Sequence, residues 1–145
     1  MDAPEAPRFT TQVRVRYADT DAAGVAYYAN YLVFFEVARV ELLRALGCPI
    51  TEVEARGFHL PVIEAHVRYR RAARLDDLLD VTLVRGRVGP ASFDFDYEVR
   101  RDGELVTTGW TRLACVDAGS GRAVALPDWL LELFERIPAA AGAAR

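Results

Sequence analysis

Apolar residues recur along this chain with two different periods, one typical of strands and the other typical of helices. Apolar and polar residues alternate from Gln12 to Tyr17, so Val13, Val15 and Tyr17 share one face of a predicted strand. The alternation returns later in the chain and predicts strands at 59–71, 78–88, 92–101 and 105–117, with a short edge at 123–125. The Asp-Gly pair at positions 102 and 103 is typical of a tight hairpin turn.

Between the first strand and the others, the period changes and predicts a long helix from Asn30 to Leu46. Asn30 is a candidate N-cap, and Gly47 stands where helices commonly end. Apolar residues fill most of its circumference, so we expect other structure to wrap this helix. One apolar face, at three- and four-residue spacing, consists of Leu32, Phe35, Ala38 and Leu42.

The order of predicted elements is strand, long helix, several strands and a short helix at 127–136, where Pro127 lies near the first turn. One helix buried against an antiparallel sheet is an α+β arrangement. A chain of 145 residues fits one domain, which we assign to residues 1–145. We expect residues 1–10 to form a loose lead-in and residues 139–145 a frayed tail.

Composition narrows the classes of function. A hydrophobic fraction of 52% argues against disorder, and a net charge of −3 gives no general case for binding nucleic acid or an anionic membrane. No apolar stretch reaches the length of about 18 residues that a membrane helix needs. The first residues lack the basic and apolar regions of a signal peptide, and Cys48 and Cys115 have no metal-ligand spacing. We therefore expect a cytoplasmic protein with reduced core thiols and no metal site.

Arginines are concentrated in one segment of this acidic chain, at positions 68, 70, 71 and 74. A local basic patch suits a small anionic ligand, such as one that carries phosphates. The alternative is an exposed strand face whose arginines are simply solvated.

Two carboxylates, Asp19 and Asp21, lie among turn-forming residues just before the long helix. This order places them beside the free N–H groups and the positive end of the helix dipole. Such carboxylates either hold the start of a helix in place or take part in attack on a polarised carbonyl. The local pattern leaves both interpretations open.

The run Tyr17-Ala-Asp-Thr-Asp-Ala-Ala-Gly-Val-Ala-Tyr-Tyr-Ala-Asn-Tyr, followed by Phe34-Phe-Glu-Val-Ala-Arg39, resembles the 4-hydroxybenzoyl-CoA thioesterase family of hotdog-fold proteins. It is most similar to the acyl-CoA thioesterase branch found with Tol-Pal clusters. The stretches 67–77, 115–117 and 122–127 are also similar, so the resemblance covers about residues 12–136. It implies a long helix wrapped by a curved antiparallel sheet of about five or six strands. It also implies homodimers or homotetramers with active sites between protomers.

For the site, the resemblance implies that Asp21 acts as nucleophile or as general base on water, two roles that one sequence does not separate. The oxyanion donor of the family falls on the backbone N–H of Tyr28, and Gly24 would leave room for the thioester. Asp19 is expected to hydrogen-bond the loop backbone. Many members of the Tol-Pal type carry His where this chain has Tyr28, so only the backbone role carries over.

The resemblance also suggests which residues bind substrate. Tyr27 would lie near the acyl pocket, together with Tyr28. Arg70, Arg71 and Arg74 would meet the phosphates of coenzyme A. The helix residue Glu36 is the second-choice catalytic carboxylate, although we expect it to pair with an arginine such as Arg39. His59 and His66 are expected to have structural roles.

The resulting expectation is an acyl-CoA thioesterase that needs neither a metal nor a redox cofactor. The first alternative is a hotdog dehydratase or hydratase, whose sites use a His with a helix carboxylate. The second is a protein that binds acyl thioesters without turnover, since one fold hosts several functions. The acyl group, and the choice between coenzyme A and acyl-carrier protein as its carrier, stay open.

Overall fold

An antiparallel sheet with a long helix packed against it forms the body of the protein. The structure is a computed structural model that describes residues 8–140. The strands within this part of the chain are β1 (Phe9–Arg14), β2 (Phe58–His59), β3 (Val62–Tyr69), β4 (Leu78–Val88), β5 (Ser92–Arg101), β6 (Glu104–Ala114) and β7 (Val116–Asp117). The helices are α1 (Asn30–Ala45), α2 (Ile50–Ala55) and α3 (Asp128–Glu135).

Five of these strands form one sheet in the order β1-β4-β5-β6-β3, and β2 pairs with β7. All the pairings between the named strands are antiparallel. The predicted hairpin between β5 and β6 is confirmed: Asp102 and Gly103 both have positive φ, at 50° and 80°. Such φ values suit the primed turns that follow the twist of paired strands. In the strand order given above, β1 and β3 are the two edge strands of the large sheet.

Helix α1 packs on this sheet through large aromatic residues. Phe35 is fully buried and stacks on Tyr97 of β5, with ring centroids 4.2 Å apart. Gly109 of β6 leaves the space for Phe35, because a Cβ there would lie 2.7 Å from the ring. The helix ends one residue earlier than predicted, and Gly47, with φ of 85°, follows it in the left-handed conformation.

Burial of α1 is less complete than its composition predicts. Its buried residues are Tyr31, Phe34, Phe35, Ala38, Leu42 and Leu43. Leu32, assigned from the pattern to the buried face, is exposed, as is its neighbour Val33. The sheet covers one side of the helix, and the first turns of the opposite side face outward.

Other predicted boundaries need correction. The strand predicted at 59–71 is two strands, because Leu60 and Pro61 interrupt it, and Pro cannot donate to a ladder. The strand predicted at 105–117 likewise breaks at Cys115. Tyr17 does not continue the first strand but begins a short 3₁₀ turn and is 82% exposed. Helix α2 was not predicted, since six residues are too few to reveal a helical period.

The ends of the chain differ partly from expectation. Phe9 and Thr10 belong to β1, so the predicted loose lead-in is wrong for these two residues. Ala139 forms a parallel bridge with Arg85. Of the rest of the predicted lead-in and tail, residues 1–7 and 141–145 lie outside the described residues.

Both cysteines, Cys48 and Cys115, are buried and free, which confirms their assignment as core thiols. Burial raises the pKa of the Cys115 thiol, so it stays protonated. Within residues 8–140, no helix is both long and apolar enough to cross a bilayer.

Candidate active site at the start of the long helix

The segment between β1 and α1 folds into a tight turn around Asp21. The Asp21 N–H donates to the Val25 carbonyl at 2.9 Å, and the Gly24 N–H donates to the Asp21 carbonyl at 3.0 Å. One carboxylate oxygen, Oδ1, accepts a hydrogen bond from the Ala23 N–H at 2.8 Å. The side chain is exposed, and its other oxygen accepts no hydrogen bond from the described residues. Asp21 thus stabilises its own turn through Oδ1 and presents Oδ2 to solvent.

Asp19 holds the loop from inside, which confirms the structural role expected for it. Its buried carboxylate accepts three hydrogen bonds from Arg16, at 2.9, 3.2 and 2.9 Å. Its carbonyl accepts from the Tyr27 N–H and from the Asn30 side-chain amide, both at 2.8 Å. The Arg16 hydrogen bonds lower the pKa of Asp19 from its ordinary value, so it stays charged. Asn30 is therefore not the N-cap that the sequence suggested; that position is Ala29.

The backbone N–H group of Tyr28 has no acceptor within the described residues. The Tyr27 carbonyl, on the same peptide group, accepts from the Asn30 N–H at 2.9 Å. The Leu32 N–H donates to the Ala29 carbonyl at 3.2 Å. The Tyr28 N–H donates to no acceptor in residues 8–140, and the Tyr28 side chain is exposed. The arrangement leaves an unused donor at the positive end of α1.

Three tyrosines interact at this part of the backbone. The rings of Tyr27 and Tyr28 lie with centroids 4.5 Å apart, and the Tyr69 hydroxyl donates to the Tyr28 carbonyl at 2.6 Å. The Tyr28 hydroxyl is the main cause of a raised pKa at Tyr27, and the negative charge of Asp21 contributes a smaller part. Asp21 thus interacts electrostatically with Tyr27, and the side chains of Asp21, Tyr27 and Tyr28 are all exposed.

The arginines predicted to bind phosphate are distributed differently around the site. Arg74 forms an isolated bridge with Val25 and so lies against the Asp21 turn. Arg71 pairs with Glu104 at 3.0 Å, and both side chains are largely exposed. Arg70 follows the last residue of β3 and is exposed. Of the three, only Arg74 is tied to the Asp21 turn by backbone pairing.

A separate cavity of about 330 Å³ lies further along α1. Glu36 and Arg39 line it, and their side chains approach to 3.9 Å, which confirms the predicted pair. Other lining residues include Val40, His59, Phe93, Phe95 and Phe134. The cavity combines an aromatic wall with polar groups, a composition typical of small-molecule sites. Its outline was not predicted, because α2, β2 and the sheet contribute to it from distant parts of the sequence.

Of the two histidines, His59 lines this cavity, whereas His66 stacks on Trp110 with centroids 6.1 Å apart. Residues 8–140 contain no group of three or more His, Cys, Asp or Glu side chains arranged to hold a metal ion. Tyr69 is a site residue that the sequence reasoning missed. In the sequence, Tyr69 is marked only by its position on a predicted strand, four residues before Ala73 and five before Arg74.

Comparison with known proteins identifies the family of this chain. Residues 15–134 match the family described as the Thioesterase-like superfamily. The chain belongs to this family. The resemblance drawn from the Asp21 segment is thereby confirmed, and so are the hotdog fold and the predicted class of enzyme, a thioester hydrolase.

Individual relatives extend along nearly the whole chain. The acyl-CoA thioesterase YbgC of Haemophilus influenzae is 38% identical over 130 residues, which are 89% of this chain and 96% of the relative. The 1,4-dihydroxy-2-naphthoyl-CoA hydrolase of Nostoc punctiforme is 33% identical, with 88% and 86% covered. Among solved structures, the DHNA-CoA thioesterase of Staphylococcus aureus superimposes with a TM-score of 0.83 at 30% identity, and 89% of each chain is covered.

Proposed function

We propose that the protein hydrolyses an acyl-CoA thioester with Asp21 and the Tyr28 backbone amide as its central groups. The observation that carries the proposal is the Tyr28 N–H, which has no acceptor within residues 8–140 and lies just before α1, seven positions after the exposed Asp21. The Asp21 Oδ2 atom accepts no hydrogen bond from the described residues and is therefore available to act as nucleophile or base. An amide without an acceptor is available for an oxyanion.

The reaction follows from these two groups. Either the Asp21 carboxylate attacks the thioester carbonyl carbon, or it removes a proton from a water molecule that attacks. In both routes the carbonyl oxygen becomes an oxyanion, which accepts a hydrogen bond from the Tyr28 N–H. Collapse of the tetrahedral species breaks the C–S bond and releases the thiolate of coenzyme A. On the first route, water then hydrolyses the acyl-aspartate, so both routes yield a carboxylic acid and free coenzyme A.

The remaining site residues bind and admit the substrate in this proposal. Gly24 has φ of 77°, which suits the tight turn after Asp21, and as a glycine it places no side chain there. Tyr27 lies against the acyl end of the thioester. Arg74 lies at the Asp21 turn and is therefore the best-supported contact to the coenzyme A phosphates. Arg70 and Arg71 are exposed, so they can also contact these phosphates.

The acyl group itself would extend into the cavity that Glu36 and Arg39 line. Helix α1 rises about 1.5 Å per residue, so Glu36 lies about 9 Å along the helix from its first residue, Asn30. A cavity at that distance suits an acyl group of several carbon atoms or a ring. Val40 and Phe93 line the same cavity and would contact that group.

A homodimer is the assembly that we propose. Strand β3 is an edge of the large sheet, and nearly all of its residues are exposed. Val62 and Ile63 expose apolar side chains there, as Leu32 and Val33 do on α1. An unpaired edge with exposed apolar residues favours pairing with another strand, and a second copy offers the same edge.

The test of the proposed chemistry is Asp21→Asn, measured by release of free thiol from a panel of acyl-CoAs, short aliphatic, aryl and long-chain. Removal of the base or nucleophile should lower kcat by at least about 100-fold. The exposed position of Asp21 predicts an unchanged fold and melting temperature. Asp76→Asn is the matched control, because Asp76 is also an exposed carboxylate of a turn, and its ion pair is with Arg14, to which we assign no part in the reaction. An Asp21→Asn enzyme that keeps most of its kcat would refute the assignment.

One observation favours a second candidate, dehydration of a 3-hydroxyacyl thioester. His59 and the helix carboxylate Glu36 line the same cavity, and a His with a helix carboxylate is the pair that hotdog dehydratases use. We rank this function second, because the family match and the free Tyr28 amide both favour hydrolysis. Incubation with a 3-hydroxyacyl-CoA, followed by the absorbance of the enoyl product, distinguishes the two.

A further inference from the structure

Tyr69 connects the sheet to the start of the long helix. It is the last residue of β3, and its hydroxyl donates a hydrogen bond of 2.6 Å to the Tyr28 carbonyl. The two residues are 41 positions apart in sequence. The contact therefore links two separate elements at the backbone position assigned above to the oxyanion.

Within residues 8–140, no helical N–H donates to the Tyr28 carbonyl in place of this contact. In a continuing helix it would accept from the N–H four residues later, that of Leu32. The Leu32 N–H instead donates to Ala29, and the Asn30 N–H donates to Tyr27. The Tyr69 hydroxyl thus satisfies the carbonyl and keeps Tyr28 outside the regular helix.

The Tyr69 side chain is itself held in position. Its ring meets that of Tyr31 edge-on, with centroids 5.3 Å apart, and Tyr31 is buried in the core. On β6, Thr107 is its partner in the ladder. Desolvation is the main cause of a raised pKa at Tyr69, so the hydroxyl stays a donor near neutral pH.

We propose that Tyr69 is a positioning residue for catalysis, which fixes the peptide geometry at Tyr28 so that the Tyr28 N–H points at the oxyanion. The inference rests on the proposed function. The carbonyl and N–H of one residue belong to adjacent peptide groups joined at its Cα. Fixing the Tyr28 carbonyl therefore limits rotation about Tyr28, while Asp19 fixes the preceding N–H, that of Tyr27. Preorganised donors stabilise an oxyanion without reorganisation during the reaction.

The first test is Tyr69→Phe, which keeps the ring and removes only the hydroxyl. We expect kcat to fall about tenfold, as a slightly misplaced donor should cause, with KM changed less than about twofold. The matched control is Tyr31→Phe. It removes a neighbouring hydroxyl that accepts from the Ala73 N–H at 3.2 Å and so perturbs the same aromatic cluster. Tyr31→Phe should lower stability and leave kcat within about twofold of the original. Equal kcat losses in both variants would overturn the inference.

The second test reads the donor directly and separates the two proposals. An acyl-CoA with a ¹³C-labelled thioester carbonyl is bound to Asp21→Asn, and its carbonyl stretch is recorded by difference infrared spectroscopy. The Tyr28 N–H should lower the frequency relative to free substrate, and adding Tyr69→Phe should reduce that lowering. A lowering that Tyr69→Phe leaves unchanged overturns the positioning role alone. If the carbonyl frequency is not lowered in Asp21→Asn, the Tyr28 N–H is not the oxyanion donor. The proposed function then loses this donor, and the inference about Tyr69 is overturned as well.

Discussion

Replacing Gly109 with alanine tests the contact through which α1 lies on the sheet. A Cβ at this position would lie 2.5 Å from the His66 carbonyl oxygen and 2.7 Å from Cε2 of Phe35. Ordinary contacts of a Cβ begin near 3.4 Å. The overlap is therefore about 0.9 Å with the backbone of β3 and about 0.7 Å with a core ring.

Neither neighbour has an easy way to move. The His66 carbonyl belongs to β3, which is paired with β6 along its length. The Phe35 ring is fully buried and stacks on Tyr97 with an angle of 8° between the rings. Overpacking of such cores costs about 1–3 kcal/mol, and this double overlap should lie near the upper value. For a chain of this length, about 3 kcal/mol corresponds to a fall in Tm of about 10 °C.

The free energy of unfolding is measured by urea denaturation, monitored by circular dichroism, and Tm by a thermal scan. Gly119→Ala is the matched control, because its Cβ would meet only Asp117 Oδ1 at 3.4 Å. That variant should stay within about 0.5 kcal/mol of the original protein. If Gly109→Ala were as stable as Gly119→Ala, the close packing of α1 on β3 and β6 would be wrong.

Two further predictions concern the cavity and the assembly. Val40→Phe should fill part of the cavity, and overpacking opposes a larger acyl group more than a small one. We expect kcat/KM to fall about tenfold more for long acyl-CoAs than for acetyl-CoA. Equal losses for both substrates would show that the acyl group does not bind in this cavity. Ile63→Asp should place a charge on the exposed edge of β3 and shift the protein toward monomer in sedimentation velocity. Thr10→Asp, on the opposite edge strand, should leave the assembly unchanged. A dimer that survives Ile63→Asp would argue against pairing through β3.

Several elements were predictable because their causes are local. The alternation in β4 and β5, the helical period of α1, and the Gly47 stop each depend on residues close together in sequence. The β5–β6 turn depends on the Asp-Gly pair alone. The segment around Asp21 was specific enough to indicate the family that the comparison then confirmed.

The site was predictable only in part. The sequence indicated Asp21 as a carboxylate beside a helix start, and the structure shows this residue in a tight turn with an exposed side chain. Its catalytic role, that of the Tyr28 amide and those of the arginines stay predictions. The supporting contacts of Arg16 with Asp19 lie within three residues, yet a pair of this kind does not stand out among many charged neighbours.

Contacts between distant segments depend on registers that no local pattern contains. The hydrogen bond from Tyr69 to Tyr28 requires that β3 pair with β6 in one register and that α1 cross the sheet at one position. The same dependence explains the exposure of Leu32 and the cavity around Glu36, since both follow from which side of α1 the sheet covers. Periodicity shows only that one face of a helix or strand is apolar. Packing of the whole chain determines which other element, if any, covers that face.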